Sequence, residues 1–178
     1  QKAAKNLGLD VMVMNFSNEA WAIEYENETI MSGLRSEHVK EAAQVVSQYC
    51  DFIAIRAFAS LTDQKRDEEE VVLRKFAAFA SVPIINMESA TAHPLQALAD
   101  GLTIEEQVTI KQPKIVLSWA PHPKALPHAV ANSFIGLINH TKADFIITHP
   151  EGYDLNPAIV GNHKVEYNQE KALEGADV

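Results

Sequence analysis

Six short runs of apolar, β-favouring residues recur along the chain: DVMVMNF (10–16), DFIAIRAF (51–58), VPIINM (82–87), KIVLSWA (114–120), DFIITHP (144–150) and HKVEYN (163–168). Most are almost continuously apolar rather than alternating. That pattern suits strands covered on both faces, as in a parallel sheet. Helical patterns separate them. SEHVKEAAQVVSQY (36–49) carries Val39, Ala42, Ala43 and Val46 at helical spacing, with Ser36 placed to cap it. EEEVVLRKFAAFA (68–80) opens on acids, which are favourable at a helix N-terminus. PLQALADGLTIEEQVTI (94–110) is interrupted by Gly101, and PHAVANSFIGLINHT (127–141) starts on a proline, tolerated in a first turn. Strands alternating with helices predict an α/β fold with a mainly parallel sheet.

The break at Gly101 and the stretch IKQPK ahead of a fresh strand place a joint near 97–112. We expect two doubly wound, mainly parallel-sheet domains, 1–97 and 98–178. The opening, QKAAKNLGLD, reads as the last turns of a helix ending at Gly8. The close, EKALEGADV, reads as a short helix and the first residue or so of another strand. The chain is therefore expected to be a segment of a longer protein, with both domains truncated. DQKRDEEE (63–70) reads as a solvated loop and helix start.

Composition narrows the function. A net charge of −9 disfavours nucleic acid and anionic membranes as general partners. No run approaches the roughly 20 apolar residues of a membrane span, and no basic, apolar leader is evident. The lone Cys50 rules out an internal disulfide network and suits a reducing, cytoplasmic setting.

Ligands of open α/β sheets bind beyond the carboxyl ends of strands. Polar residues gather there: Arg56 after 51–55; Glu88, Thr91, His93 and Gln96 after 82–87; Trp119, His122, Lys124 and Asn132 after 114–118; His149 and Glu151 after 144–148. Arg56 offers a fork of donors to a phosphate or a polarised carbonyl. His93 and Gln96 can donate and accept. Together the three suit a ligand with a carbonyl oxygen beside a phosphate, stabilising charge that develops on oxygen. Taken singly, Arg56 reads first as an ion-pair partner, and His93 as a helix-start residue bonded to backbone. Glycine-rich nucleotide fingerprints, a P-loop, HExxH and GxSxG are missing. His122 and His128 have no cysteine between them and two prolines in the gap, so no metal is expected.

HPLQALAD (93–100) resembles the HPxQxLxD signature of the aspartate/ornithine carbamoyltransferases, and AIRAF (54–58) resembles the strand carrying that family's carbamoyl-phosphate arginine. SWAPHPKALPHAVANSF (118–134) and THPEGYDLNP (148–157) are similar to the branch that carbamoylates N-acylated ornithine, closest to its succinyl type. The resemblance implies two α/β domains, one for carbamoyl phosphate and one for the amino acid, assembled as a homotrimer without a cofactor. It implies that Arg56, His93 and Gln96 hold and polarise carbamoyl phosphate, and that Trp21 reaches a neighbouring subunit's site. It places Glu88, His122 and Asn132 at the acylated amino acid. The position before Glu37 helps choose the acyl chain in that branch, proline for succinyl and glutamate for acetyl; here it is Ser36, which lacks the carboxylate that would repel a succinate tail.

The family's SxRT phosphate loop is expected before Gln1 and its HCLP element after Val178. Two other readings stay open: transfer to free ornithine, aspartate or another amine, and a catalytically silent subunit of the same fold.

Overall fold

The computed structural model describes every residue except 17–21, 32, 34, 121 and 125. Trp21 lies outside the described residues. The order is α1 (Lys2–Asn6), β1 (Ile23–Glu24), β2 (Glu37–His38), α2 (Val39–Val46), β3 (Ile53–Arg56), α3 (Gln64–Glu68), α4 (Val71–Phe79) and β4 (Ile84–Glu88). Then come α5 (Pro94–Gln107), β5 (Lys114–Ser118), α6 (Ala129–Ile138), β6 (Asp144–Thr148), α7 (Pro157–Val160), β7 (Lys164–Val165) and α8 (Gln169–Leu173). Every pairing among the described strands is parallel: β1 with β2, β3 with β4, and β5–β6–β7 in one sheet. The α/β class with parallel sheets is as expected.

Two apolar cores form. Ile23, Val39, Ala42, Ala43 and Phe76 make one, around α2 and α4. Ile115, Ile135, Ile138, Phe145, Ile147 and Leu155 make the other, between β5–β6 and α6. β6 is buried along Phe145–Thr148, as a strand covered on both faces should be. β3 and β4 instead alternate between partly buried and exposed positions, with Ile85 and Met87 exposed. Only one face of that pair is covered among the described residues, so its continuous apolar run does not mark two covered faces.

Several expected elements differ. Residues 10–16 form no ladder: Val11, Met12, Val13 and Met14 are all exposed, and no described strand lies alongside to accept their backbone bonds. The run 163–168 narrows to the two residues of β7. Ser36 does not cap α2; His38 does, its Nδ1 accepting the Lys40 N–H at 3.2 Å. The acidic stretch 63–70 is largely solvated and starts a helix, as expected. It holds α3, capped by Asp63, and Asp67 accepts the Ser60 and Leu61 backbone amides.

Gly101 does not interrupt its helix either. α5 runs unbroken from Pro94 to Gln107. A Cβ at Gly101 would meet the Leu137 Cδ1 at 3.0 Å, so glycine there lets α6 approach α5 closely. The chain closes on α8, after which Asp177 and Val178 bond to Lys114 and Val116 along the edge of β5, the start of strand pairing expected there. Among the described residues no helix is long and apolar enough to cross a membrane.

Candidate active site

β3 and β4 pair in simple register as far as Ile55 opposite Asn86, then slip by one, so that Arg56 faces Glu88. Bulges of this kind re-aim side chains near functional sites. The result is a salt bridge: Glu88 Oε2 lies 2.7 Å from Arg56 Nη2 and accepts from Arg56 Nε at 2.9 Å. The guanidinium also lies over the Phe58 ring, 4.5 Å from its centroid, which fixes its plane. His93 Nε2 is 3.5 Å from the same Glu88 oxygen. Three of the sequence-predicted residues therefore meet around one carboxylate oxygen at the carboxyl ends of two parallel strands. Arg56 does take the ion-pair role open to any arginine, with a partner that is itself a predicted site residue.

The turn between β4 and α5 brings His93 there. Ser89 is buried; its amide donates to the Ala92 carbonyl at 2.8 Å, and its hydroxyl donates to the same oxygen at 3.2 Å. From one side Glu70 accepts the Thr91 amide at 3.1 Å and the Thr91 hydroxyl at 2.7 Å. Glu70 sits at φ 48°, a left-handed conformation that is uncommon for a residue with a side chain. Burial alone would raise its pKa; bonds from Ser89 and Thr91, with Arg74 nearby, outweigh that and hold its carboxyl below its ordinary value. From the other side Asn132 Nδ2 donates to the Thr91 carbonyl at 3.1 Å, and Ser133 Oγ accepts the His93 amide at 2.7 Å. Nδ1 of His93 and Oδ1 of Asn132 are buried with no hydrogen-bond partner in the structure.

Gln96 lies one turn into α5, exposed, with its amide donating to Asp100 Oδ1 at 2.8 Å. His122 is exposed and bonds within its own loop, where Nδ1 lies 3.0 Å from the Lys124 carbonyl and 3.2 Å from the Lys124 amide. Ser36 is exposed beside Glu28, Glu37, His38 and Glu41 in an open acidic depression. Neither His122 nor Ser36 touches the Arg56–Glu88–His93 group.

At the strand ends of the second sheet stands an aromatic group. His149 is buried, stacked on Trp119 with centroids 4.6 Å apart and met edge-on by Tyr167. Tyr167 donates to Asp154 Oδ1, and that bond together with the Asp154 charge pushes its hydroxyl pKa up. Sequence reasoning missed Glu70 and Ser133. Glu70 sits in an acidic run that reads as solvated, and Ser133 is an ordinary residue on an amphipathic helix. The only signal was indirect: HPLQ has the spacing of a helix capping box, which needs a partner for its first amide.

Comparison with known proteins identifies the family. Residues 1–106 match the family model described as aspartate/ornithine carbamoyltransferase, carbamoyl-P binding domain. An N-succinylornithine carbamoyltransferase of Bacteroides thetaiotaomicron is 51% identical over 177 residues, 99% of this chain and 56% of the relative. An N-acetylornithine carbamoyltransferase of Xanthomonas campestris is 35% identical over 190 residues, covering 98% of this chain and 56% of the relative. Among solved structures, a glutamate-to-serine variant of N-acetyl-L-ornithine transcarbamylase, complexed with carbamyl phosphate and N-succinyl-L-norvaline, superposes with TM-score 0.91 at 35% identity, covering 99% of this chain and 57% of that one. The chain belongs to the aspartate/ornithine carbamoyltransferase family. It spans about half the length of the curated relatives it matches.

Proposed function

We propose that the protein carrying this chain is a carbamoyltransferase. It moves the carbamoyl group of carbamoyl phosphate to the side-chain amine of an N-acylated ornithine, with succinyl favoured over acetyl. The products are N-acylcitrulline and phosphate, a step of arginine biosynthesis. The observation that carries this reading is the meeting of Arg56 and His93 around Glu88 at the ends of β3 and β4. Carbamoyl phosphate binds with its carbonyl oxygen towards Arg56, His93 and Gln96. The neutral amine attacks the carbonyl carbon, a C–N bond forms, and negative charge builds on that oxygen. Donors fixed beforehand stabilise the charge. The tetrahedral centre then expels phosphate, and the proton released by the amine leaves with solvent or phosphate. Two ligands held between two halves of the protein gain most of their rate from placement. His93 acts as a donor to the carbonyl rather than as a base.

Glu88, His122 and Asn132 position the acylated amino acid, and Ser36 bears on the acyl chain. Two facts support succinyl. The 51%-identical relative is an N-succinylornithine carbamoyltransferase. Serine, alanine, valine and proline replacements of one glutamate in the N-acetylornithine enzyme were all solved with N-succinyl-L-norvaline. Those four side chains share little except the lack of a carboxylate, which is also what Ser36 lacks. Residues 1–97 form the carbamoyl-phosphate half and 98–178 the amino-acid half, with the division inside α5. The working assembly is a cytoplasmic homotrimer. No cofactor is required.

The test is an assay of the full-length protein with carbamoyl phosphate and succinyl-, acetyl- or free ornithine. The expected order of kcat/KM is succinyl, then acetyl, then free. Product from free ornithine alone, or from none of the three, would overturn the reading. Wild-type kcat/KM in His93→Ala would remove His93 from its role.

A further inference from the structure

His93 is the N-cap of α5 and Pro94 its first residue, so Gln96 is the third helical position. In a capping box the glutamate or glutamine at that position reaches back to the backbone N–H of the N-cap. Here it does not. The His93 amide donates to Ser133 Oγ on α6 at 2.7 Å, and Gln96 turns along the helix to Asp100. Asn132, the neighbouring residue of α6, holds the Thr91 carbonyl of the same turn. α6 also follows directly on the loop that carries His122.

We propose that Ser133 is a positioning residue for the transfer reaction. By taking the His93 amide in place of Gln96, it sets the head of α5 with the imidazole towards Glu88. It also keeps the Gln96 carboxamide off the helix terminus, so that Gln96 need give up only its exposed bond to Asp100 to reach the carbamoyl group. The hold comes from the half that carries the amine substrate, so the two ligand sites share a fixed point. This inference rests on the carbamoyl-transfer reading.

Ser133→Ala and Ser133→Thr in the full-length protein test it. Two readouts are needed: steady-state kinetics, and the ring resonances of isotope-labelled histidine followed through a pH titration, with His93 assigned by His93→Ala. The alanine variant should lose about tenfold or more in kcat, as misplaced groups do. Its KM for carbamoyl phosphate should stay within about twofold, the mark of an interaction used in the transition state. The His93 ring resonances should move. Threonine, which keeps the hydroxyl, should restore both. Unchanged kcat and unchanged His93 resonances in Ser133→Ala overturn the proposal. So does a loss that tracks a fall in Tm and is not restored by threonine. If the wild-type protein carbamoylates none of the three amines, the functional reading fails, while the His93 resonances still decide whether Ser133 positions that ring.

Discussion

One oxygen of Glu88 binds Arg56 through both Nη2 and Nε, at 2.7 and 2.9 Å. The Arg56 side chain is 55% exposed, so this pair adds little to stability. Its value lies in aim, since Arg56 cannot rotate away from the strand end while Glu88 holds it. Glu88→Gln should therefore change the unfolding free energy by less than about 1 kcal/mol. It should raise KM for the acylornithine about tenfold, a loss of about 1.4 kcal/mol of binding. KM for carbamoyl phosphate should hold or fall, because its carbonyl oxygen no longer competes with a carboxylate for Arg56. Thermal melts and two-substrate kinetics check this; an unmoved acylornithine KM would show that Glu88 serves Arg56 alone.

Ser36 predicts an acyl switch. A carboxylate within about 4 Å of a succinate tail costs about 1 kcal/mol in bulk water and about 4 kcal/mol near a protein surface. Ser36→Glu should thus lower kcat/KM for succinylornithine relative to acetylornithine by at least about fivefold. Ser36→Pro should leave the ratio near wild type. A ratio indifferent to Ser36→Glu would move the acyl pocket elsewhere.

Glu70 predicts a pH dependence. Its folded-state pKa lies below the ordinary 4.5. A depressed carboxylate contributes stability that is present above its unfolded pKa and lost as pH falls through the folded one. Wild-type Tm should drop on acidification below about pH 4.5, and Glu70→Gln should flatten part of that drop. Parallel Tm–pH curves for the two proteins would show that the Thr91 bonds do not depend on the charge.

The α5–α6 contact predicts a stability loss. A Cβ at Gly101 stands 3.0 Å from Leu137 Cδ1, and valine adds two methyl groups. Overpacking of this kind costs about 1–3 kcal/mol. Gly101→Val should lower the denaturant midpoint accordingly. Gly101→Ala should do less harm, because alanine regains helix propensity worth about 1 kcal/mol. Equal midpoints for glycine and valine would mean that α6 moves away freely.

The sequence made the parallel strands legible because apolar runs are a one-dimensional signal. It made the candidate site's cluster of Arg56, Glu88 and His93 legible because each sits within or just beyond such a run. Residues 10–16 misled because hydrophobicity marks burial while a strand needs a partner's backbone. Gly101 misled because a glycine inside a helix reads the same whether it breaks the helix or admits a neighbour. Ser36 and His38 both precede α2, and only the backbone geometry chooses the cap. Glu70 and Ser133 stayed hidden for a deeper reason. They reach His93's turn from 21 and 40 residues away, and nothing in their local pattern records the distance crossed.

α5 carries His93 at its head and the Gly101–Leu137 contact in its second turn and beyond, with no break between them. Its 14 residues make a rod about 21 Å long. A rod does not absorb rotation. Any tilt that α6 imposes at Leu137 arrives at the imidazole as a displacement, and loops elsewhere must take up the slack. The imidazole at the head of α5 is thus geared to the packing of α6.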